Sequence, residues 1–471
     1  GWISKLNWHG DRKMSNRWKT GLFLVALVFL ANSTFAAESG GSLEPPEAWT
    51  PRQAVSFALH NNPESSMAWQ RLEAANAALV SNRAAFYPQL SISSSYGQTD
   101  NPMYSFGNIL NQGAFNQNID FNDPGRTDDL NMGVKLSYRF YNGGRDQAGV
   151  KAAMARQTAT RMELGAVRNQ LAFGAVRAFN LIIQSEGVVK AHRAAVEAID
   201  ASLGVARARY GEGVLLKADL LNLEVQESGS KENLVQAENS LEVARRLFLN
   251  LLGLNGGKVD IAPGPVEPQE IPATRSYEGR YELKSAVAMV RAAEAGLRVA
   301  RGSAYPTLDG YAGYDLDKGW ETDGSGSSWQ AGLKLSYNLF DGHRSSAAVS
   351  EAAARLAEAR ERQRQLDLAI GLEVTRAELA LKEAENRLHV SEKAVEQAKE
   401  SARLYRARFK EGDVLTSDLI AVEKGLTDAI LRRTMAETAR RIAIADLRRS
   451  LGLPQFPDLE EETKDDRSAA N

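Results

Sequence analysis

The chain has 471 residues, 25% of them charged, a formal net charge of −2 and no cysteine. That balance excludes a generic polyanion binder, which needs clustered excess Lys and Arg, and the missing cysteines exclude disulfides, Cys-metal sites, Cys nucleophiles and lipid attachment to an N-terminal Cys. A mean hydropathy of −0.35 describes a chain with much solvated helix surface.

Met14 opens a stretch with Arg17 and Lys19, followed by the apolar run Gly21 to Ala31 and then Asn32-Ser33-Thr34-Phe35-Ala36-Ala37. A basic start, an apolar run of about 7 to 15 residues and a small residue before the cut make a secretory signal peptide. Residues 14–36 are read as that peptide, cut after Ala36, and residues 1–13 as an extension outside the native protein. No later run reaches the roughly 20 apolar residues of a spanning helix, so any membrane contact of the mature chain must be made by strands.

Trp49 to Asn61 reads as a short helix capped by Thr50 with Pro51 at its first position, and Asn62-Pro63 interrupts it. A second helical pattern runs from Glu64 to Phe86-Tyr87, where Pro88 stops it. After Pro88, Leu90, Ile92, Ser94 and Tyr96 alternate with Gln89, Ser91, Ser93 and Ser95, which predicts a half-buried strand over about 89–97. A polar loop, Gln98 to Asp129, follows. The next strand, about 130–140, sets Leu130, Met132, Val134, Leu136, Tyr138 and Phe140 on one face and Asn131, Gly133, Lys135, Ser137 and Arg139 on the other. Asn142-Gly143-Gly144 then releases the backbone.

From Arg145 to Arg209 the chain is one helical arm, on the order of 100 Å long at about 1.5 Å per residue. Its seam, Ile182, Ser185, Val189, His192, Val196, Ile199, Leu203, Ala206 and Tyr210, advances by threes and fours as in a coiled coil. A tight tip, 210–219, leads to a return helix, Leu216 to Leu252, ended by Gly253. Residues 255–272, rich in proline, read as a linker.

The second half repeats this order: helix Ser285 to Ala304, Pro306, strands at about 307–317 and 329–340, Gly342, an arm with the seam Leu381 to Phe409, a tip at 409–418, a return helix and Gly452. Gly143 and Gly342, Gly213 and Gly412, and Gly253 and Gly452 are each separated by 199 positions. One register held this long is an internal duplication, with 37–254 and 273–453 as the two repeats. Only the strand-to-strand loop differs, being 19 residues longer in the first half, since Pro88 and Pro306 are 218 apart. Residues 454–471, polar and acidic, read as a flexible tail.

Four strands of about 11 residues have the length of tilted transmembrane strands, but an open four-stranded sheet cannot stay in a bilayer with unpaired edges. Closure needs about eight strands or more, hence copies from other chains. Tyr96, Tyr138, Tyr314, Trp329 and Tyr337 would then face outward as an aromatic girdle, and Lys135, Arg139, Asp309, Asp315 and Lys334 inward to a wet lumen. A soluble sheet packed on one face is the alternative.

The order of two helix-strand-strand-helix-tip-helix repeats resembles the TolC-like outer-membrane factors. The carriers are Ala85-Phe86-Tyr87-Pro88 with Ala304-Tyr305-Pro306, Tyr141-Asn142-Gly143-Gly144-Arg145 with Phe340-Asp341-Gly342-His343-Arg344, the two tips, and Leu252-Gly253-Leu254 with Leu451-Gly452-Leu453. Pro88, Gly143, Gly144, Pro306 and Gly342 mark the helix-strand transitions. The resemblance implies a mainly α chain with a membrane β-barrel: a homotrimer with four strands per chain in a twelve-stranded barrel, continued by a helical periplasmic tunnel. It implies an outer-membrane exit duct of a Gram-negative bacterium, working with a periplasmic adaptor and an inner-membrane pump of the RND, ABC or MFS type, without enzymatic chemistry or cofactor. By matching position, the gated aperture and adaptor-docking surface would be formed by Gly213, Leu216, Asp219 and Leu220 with Gly412, Leu415, Asp418 and Leu419; Asp418 would supply aperture charge, and Asp413, not itself a matched position, is a further charge nearby. The chain departs from the best-known member at Ala421, where that protein has a second acidic residue, and at Phe409, where it has a tyrosine.

The cargo implied is small molecules, with protein secretion of the type I kind as the alternative and a soluble periplasmic coiled-coil scaffold as the reading from another class. An enzyme finds little support, because His60, His192, His343 and His389 show no metal-ligand spacing and no nucleophile motif or phosphate loop is present.

Overall fold

The computed structural model describes residues 44–262 and 269–457. The expected signal peptide and N-terminal extension lie outside the described residues, as do the centre of the linker and the tail beyond residue 457. Two short helices, α1 (Pro51–Asn61) and α2 (Pro63–Arg83), lead through a 3-10 turn, Ala84–Phe86, into β1 (Gln89–Thr99). Thr50 and Gln53 cap α1 reciprocally, Gln53 N–H donating to Thr50 Oγ1 at 3.2 Å and Thr50 N–H to Gln53 Oε1 at 3.1 Å.

The loop after β1 is not irregular. It holds α3 (Pro102–Asn111), started by Asn101, whose Oδ1 accepts from Met103 N–H at 3.1 Å, with Pro102 at the first position. After it come β2 (Thr127–Tyr141), the long hairpin α4 (Arg145–Gly211) with α5 (Lys217–Leu251), then α6 (Tyr281–Gly302), β3 (Thr307–Lys318), β4 (Ser325–Ser336) and the second hairpin, α7 (Arg344–Glu411) with α8 (Thr416–Ser450).

Each return helix ends against the helix that enters the other end of its repeat. Gly253, at φ +79°, sits where a Cβ would lie 2.6 Å from the carbonyl oxygen of Asn61, and Gly452, at φ +74°, where it would lie 3.1 Å from Cα of Arg280. Only glycine allows both the conformation and the approach. Asn62 Nδ2 donates to Leu251 O at 2.6 Å and Arg280 Nη1 to Ser450 O at 2.9 Å, so the duplication extends to how an orphan helix-end carbonyl is satisfied.

The largest core gathers where α1, α4 and α5 meet, around Trp49, Phe179, Phe248 and Leu252. Trp49 meets the rings of Phe57 and Phe248 edge-on at 5.3 and 5.4 Å. Its backbone N–H donates to Asp260 O at 2.8 Å and its carbonyl accepts from Ala262 N–H at 3.0 Å, so the start of the linker is pinned and Val259 is buried there. A second core joins α7 to α8 through Ile370, Val374, Leu381, Ile444 and Leu447.

The strands form one antiparallel sheet in the order β1-β2-β3-β4. Two expectations are corrected here. The first strand is exposed along nearly all of its length rather than half-buried, because among the described residues no layer packs on either face of it. The fourth begins and ends four residues earlier than the alternation suggests, since β3 starts at Thr307, opposite Ser336, and offers no partner to Tyr337, Leu339 or Phe340.

Candidate functional site

Register decides what the sheet can do. Opposed residues of an antiparallel pair share a face, and the rows run Ile92–Val134–Tyr314–Trp329 and Leu90–Leu136–Ala312–Ala331 on one side. On the other, Ser91–Lys135–Gly313–Gln330 and Asn131–Asp317–Gly326 follow. The apolar side is open: Leu90, Ile92, Leu333, Leu335 and Trp329 each keep two thirds or more of their surface exposed. Monomeric soluble proteins rarely expose so continuous an apolar face. The polar side carries Lys135, Arg139, Asp309, Asp315 and Lys334, with Arg139 Nε donating to Asp309 Oδ1 at 3.3 Å. Both edges, β1 and β4, are unpaired among the described residues.

The five aromatic residues expected in a girdle lie at different levels. Tyr96 is near the loop end and meets Trp320 at 5.8 Å, while Tyr314 and Trp329 face each other in mid-strand. Tyr138 is at the helix end with Phe140 at 5.0 Å, and Tyr337 lies just beyond β4. Phe140 occupies the bulge between Arg139 and Tyr141 and lies over Gly310, where a Cβ would be 2.5 Å from its ring.

Pro88 and Pro306 stand directly before β1 and β3, and Gly143, Gly144 and Gly342 have φ between +67° and +76° where strands turn into the long helices. Asp341 caps the second of these turns, accepting from Ser345 N–H at 3.0 Å and from its hydroxyl, which lowers the Asp341 pKa.

The hairpin tips are built alike. After Gly213, φ +76°, and Gly412, φ +94°, the chain reverses, with Val214 N–H returning to Arg209 O and Asp413 N–H to Arg408 O, both at 3.0 Å. Leu216 and Leu415 stand at the N-caps of α5 and α8, 71% and 69% exposed. Asp219 and Asp418 follow in the first turn, where a carboxylate favours the helix N-terminus; Asp219 is half-buried, and Asp413 and Asp418 are exposed.

Leu419, expected on the docking surface, is instead fully buried. It forms a core between the tips with Ile199, Leu203, Ala206, Leu223 and Phe409, against which Leu220 is half-buried. The physical reason is that two hairpins packed side by side present different faces to each other, so residues equivalent in the repeat are not equivalent in burial.

Three links in this region escaped the sequence reading. Arg209 Nη1 donates to Phe409 O at 2.9 Å, joining the hairpins. Arg406 Nη2 donates to Glu423 Oε2 at 2.6 Å, and this bond raises the Arg406 pKa further. Its counterpart in the first hairpin is Arg207 with Glu224, at 3.4 Å. Opposite charges recurring at the repeat interval were the available signal for the last two. His192, in the seam, is half-buried, and burial lowers its pKa against the opposing charge of Asp428.

The family described as outer membrane efflux protein matches residues 54–254 and 275–453. Protein CyaE of Bordetella pertussis is 24% identical over 343 residues, covering 70% of this chain and 69% of that protein. The Campylobacter jejuni CmeC outer membrane channel superposes with a TM-score of 0.77 at 15% identity, over 98% of this chain and 97% of its own. The Vibrio cholerae outer membrane protein VceC does so with a TM-score of 0.74 at 17% identity, over 86% and 97%.

Proposed function

The chain belongs to the outer membrane efflux protein family, and from that premise we propose that three copies close their sheets into one twelve-stranded barrel whose helical arms continue as a periplasmic tunnel. The duct passes small molecules outward from an inner-membrane pump, joined to it by a periplasmic adaptor. The observation that carries this reading is the register: the mid-strand rows set Ile92, Val134, Tyr314 and Trp329 with Leu90, Leu136, Ala312 and Ala331 on one exposed face, and the charged side chains Lys135, Arg139, Asp309, Asp315 and Lys334 on the other. A bilayer outside and water inside satisfy both faces, and pairing β4 of one copy with β1 of the next satisfies the open edges.

In this reading the hairpin tips form the periplasmic aperture. Leu216 and Leu415 are the exposed apolar contacts for the adaptor, Asp413 and Asp418 supply charge at the opening, and Leu419 and Phe409 hold the two tips of one copy together. The test is deletion of the gene in its host: raised sensitivity to dyes, detergents or antibiotics is the expected result. Unchanged sensitivity with loss of a secreted protein would overturn small-molecule efflux in favour of secretion.

A further inference from the structure

We propose that α3 is a cap on the outer mouth of the duct, folded over the lumen side of its own sheet and meeting the same helix of the other two copies through Met103, Tyr104 and Leu110. The proposal rests on the closed barrel proposed above. Its own ground is where α3 is anchored.

Gln112, which ends the helix and is 1% exposed, donates from Nε2 to Asp128 O at 2.7 Å and to Asp129 Oδ1 at 2.9 Å, and accepts from the Thr322 hydroxyl at 2.5 Å. Asp129 is two residues before Asn131 and so shares its face, the polar one. Gly326 stands on that face too, opposite Asp317, and a Cβ there would collide with the carbonyl oxygen of Asn111. Gly324 is under the same constraint from Gln112. The end of α3 therefore rests on the polar side of the sheet at two strands, β2 and β4. The other end is held by Ser105, fully buried, whose hydroxyl lies 3.0 Å from Thr99 O and 2.7 Å from Gly125 O. In a barrel with its apolar face outward, the polar side is the lumen, and a helix fixed there at the loop end lies across the exit.

The buried residues Ser105, Ile109 and Gln112 account for one face of α3. Away from that face three large apolar side chains are uncovered: Met103 is 81% exposed, Tyr104 66% and Leu110 50%, with Asn111 exposed beside them. Threefold symmetry brings three copies of this uncovered patch toward one axis, where each finds the other two. The corresponding connection in the second repeat, from Lys318 to Ser325, holds no helix, so each copy contributes a single cap. Phe106, Phe115 and Phe121 stack on one another at 4.6 to 6.3 Å and stiffen the return of the loop.

The experiment uses the whole protein. Single-channel conductance in planar bilayers is compared for wild type, for the triple variant Met103→Ser, Tyr104→Ser, Leu110→Ser, and for a variant whose residues 101–126 are replaced by a short Gly-Ser turn. With Arg209→Ala added to all three proteins, so that the tips read above as the periplasmic aperture do not set the flow, both variants should conduct about twofold more or better than their parent. In the cysteine-free background, Ser93→Cys on the lumen face reports access from outside whole cells: wild type should admit a small maleimide and exclude a polyethylene-glycol maleimide, and both variants should admit the large one. The triple variant changes only exposed side chains, so it decides the matter even if the shortened loop fails to fold. Pores of equal conductance and equal labelling in all three proteins would overturn the cap alone. A wild-type protein that forms no pore would overturn the barrel reading, and the cap with it.

Discussion

The Arg209 guanidinium, carried by the first hairpin, donates to the main-chain carbonyl of Phe409 in the second at 2.9 Å and lies 5.5 Å from the centre of its ring. A single side chain thus holds both the backbone and the ring of the neighbouring tip. A hydrogen bond from a charged donor contributes about 1.5–3 kcal/mol, and a cation–π contact about 0.5–1 kcal/mol when exposed. Because Phe409 is buried while Arg209 is half-exposed, the contact stands at a solvated boundary where it can break without unfolding the arms.

Replacing Arg209 by Ala should therefore loosen the proposed periplasmic aperture while leaving the fold intact. Single-channel recordings are expected to show a larger or more frequently open conductance than wild type, with Arg209→Lys in between because it keeps the charge and loses the planar fork. Recordings of Arg209→Ala indistinguishable from wild type would show that the link does not restrain the tips.

Leu419 and Leu415 should separate stability from docking. Leu419→Ala empties a fully buried site and should cost about 2–5 kcal/mol, read as a lower thermal midpoint. Leu415→Ala removes a largely exposed side chain and should leave the midpoint within experimental scatter while weakening adaptor binding in a pull-down. Equal adaptor binding by Leu415→Ala and wild type would remove Leu415 from the docking surface.

The two faces of the sheet should respond oppositely to charge. Ala331→Arg, in mid-strand on the apolar face, is expected to cost about 2–4 kcal/mol in a bilayer and to reduce the yield of assembled protein in the outer membrane. Gln330→Arg, on the polar face, should assemble normally. The same yield for both would be inconsistent with a lipid-facing row.

Acid should weaken the junction between α6, α7 and α8. Burial opposes ionisation of Glu373, but Arg449 at 2.6 Å and Arg280 at 2.8 Å outweigh it and hold the Glu373 pKa below its ordinary value of 4.5. A carboxylate with a lowered folded pKa contributes stability above the unfolded pKa, and that contribution is lost as pH falls through the folded pKa. Wild type should thus lose more stability below pH 4.5 than Glu373→Gln does. Parallel pH profiles of the two proteins in chemical denaturation would contradict this.

The long helices and the four strands were legible because each obeys one simple period over many residues, and the duplication wrote each period twice. Helix α3 was missed in a loop rich in Asn and Gly, although Asn101-Pro102 repeats the start signal of Thr50-Pro51 and Asn62-Pro63; ten residues are too few for periodicity to stand out. The end of β4 was overrun because Tyr337 and Leu339 continue the alternation past the last partner residue of β3. The burial of Leu419 and the grip of Arg209 on Phe409 depend on how one hairpin packs on the other, which a repeat comparison cannot express, since it equates residues that face different neighbours.

In the proposed trimer this open sheet closes only with its copies. The most direct test is the mass of the detergent-extracted protein from the outer-membrane fraction, with the detergent contribution subtracted. Three chains per particle is the predicted result. A single chain would contradict the account, because four strands with two free edges cannot enclose a pore.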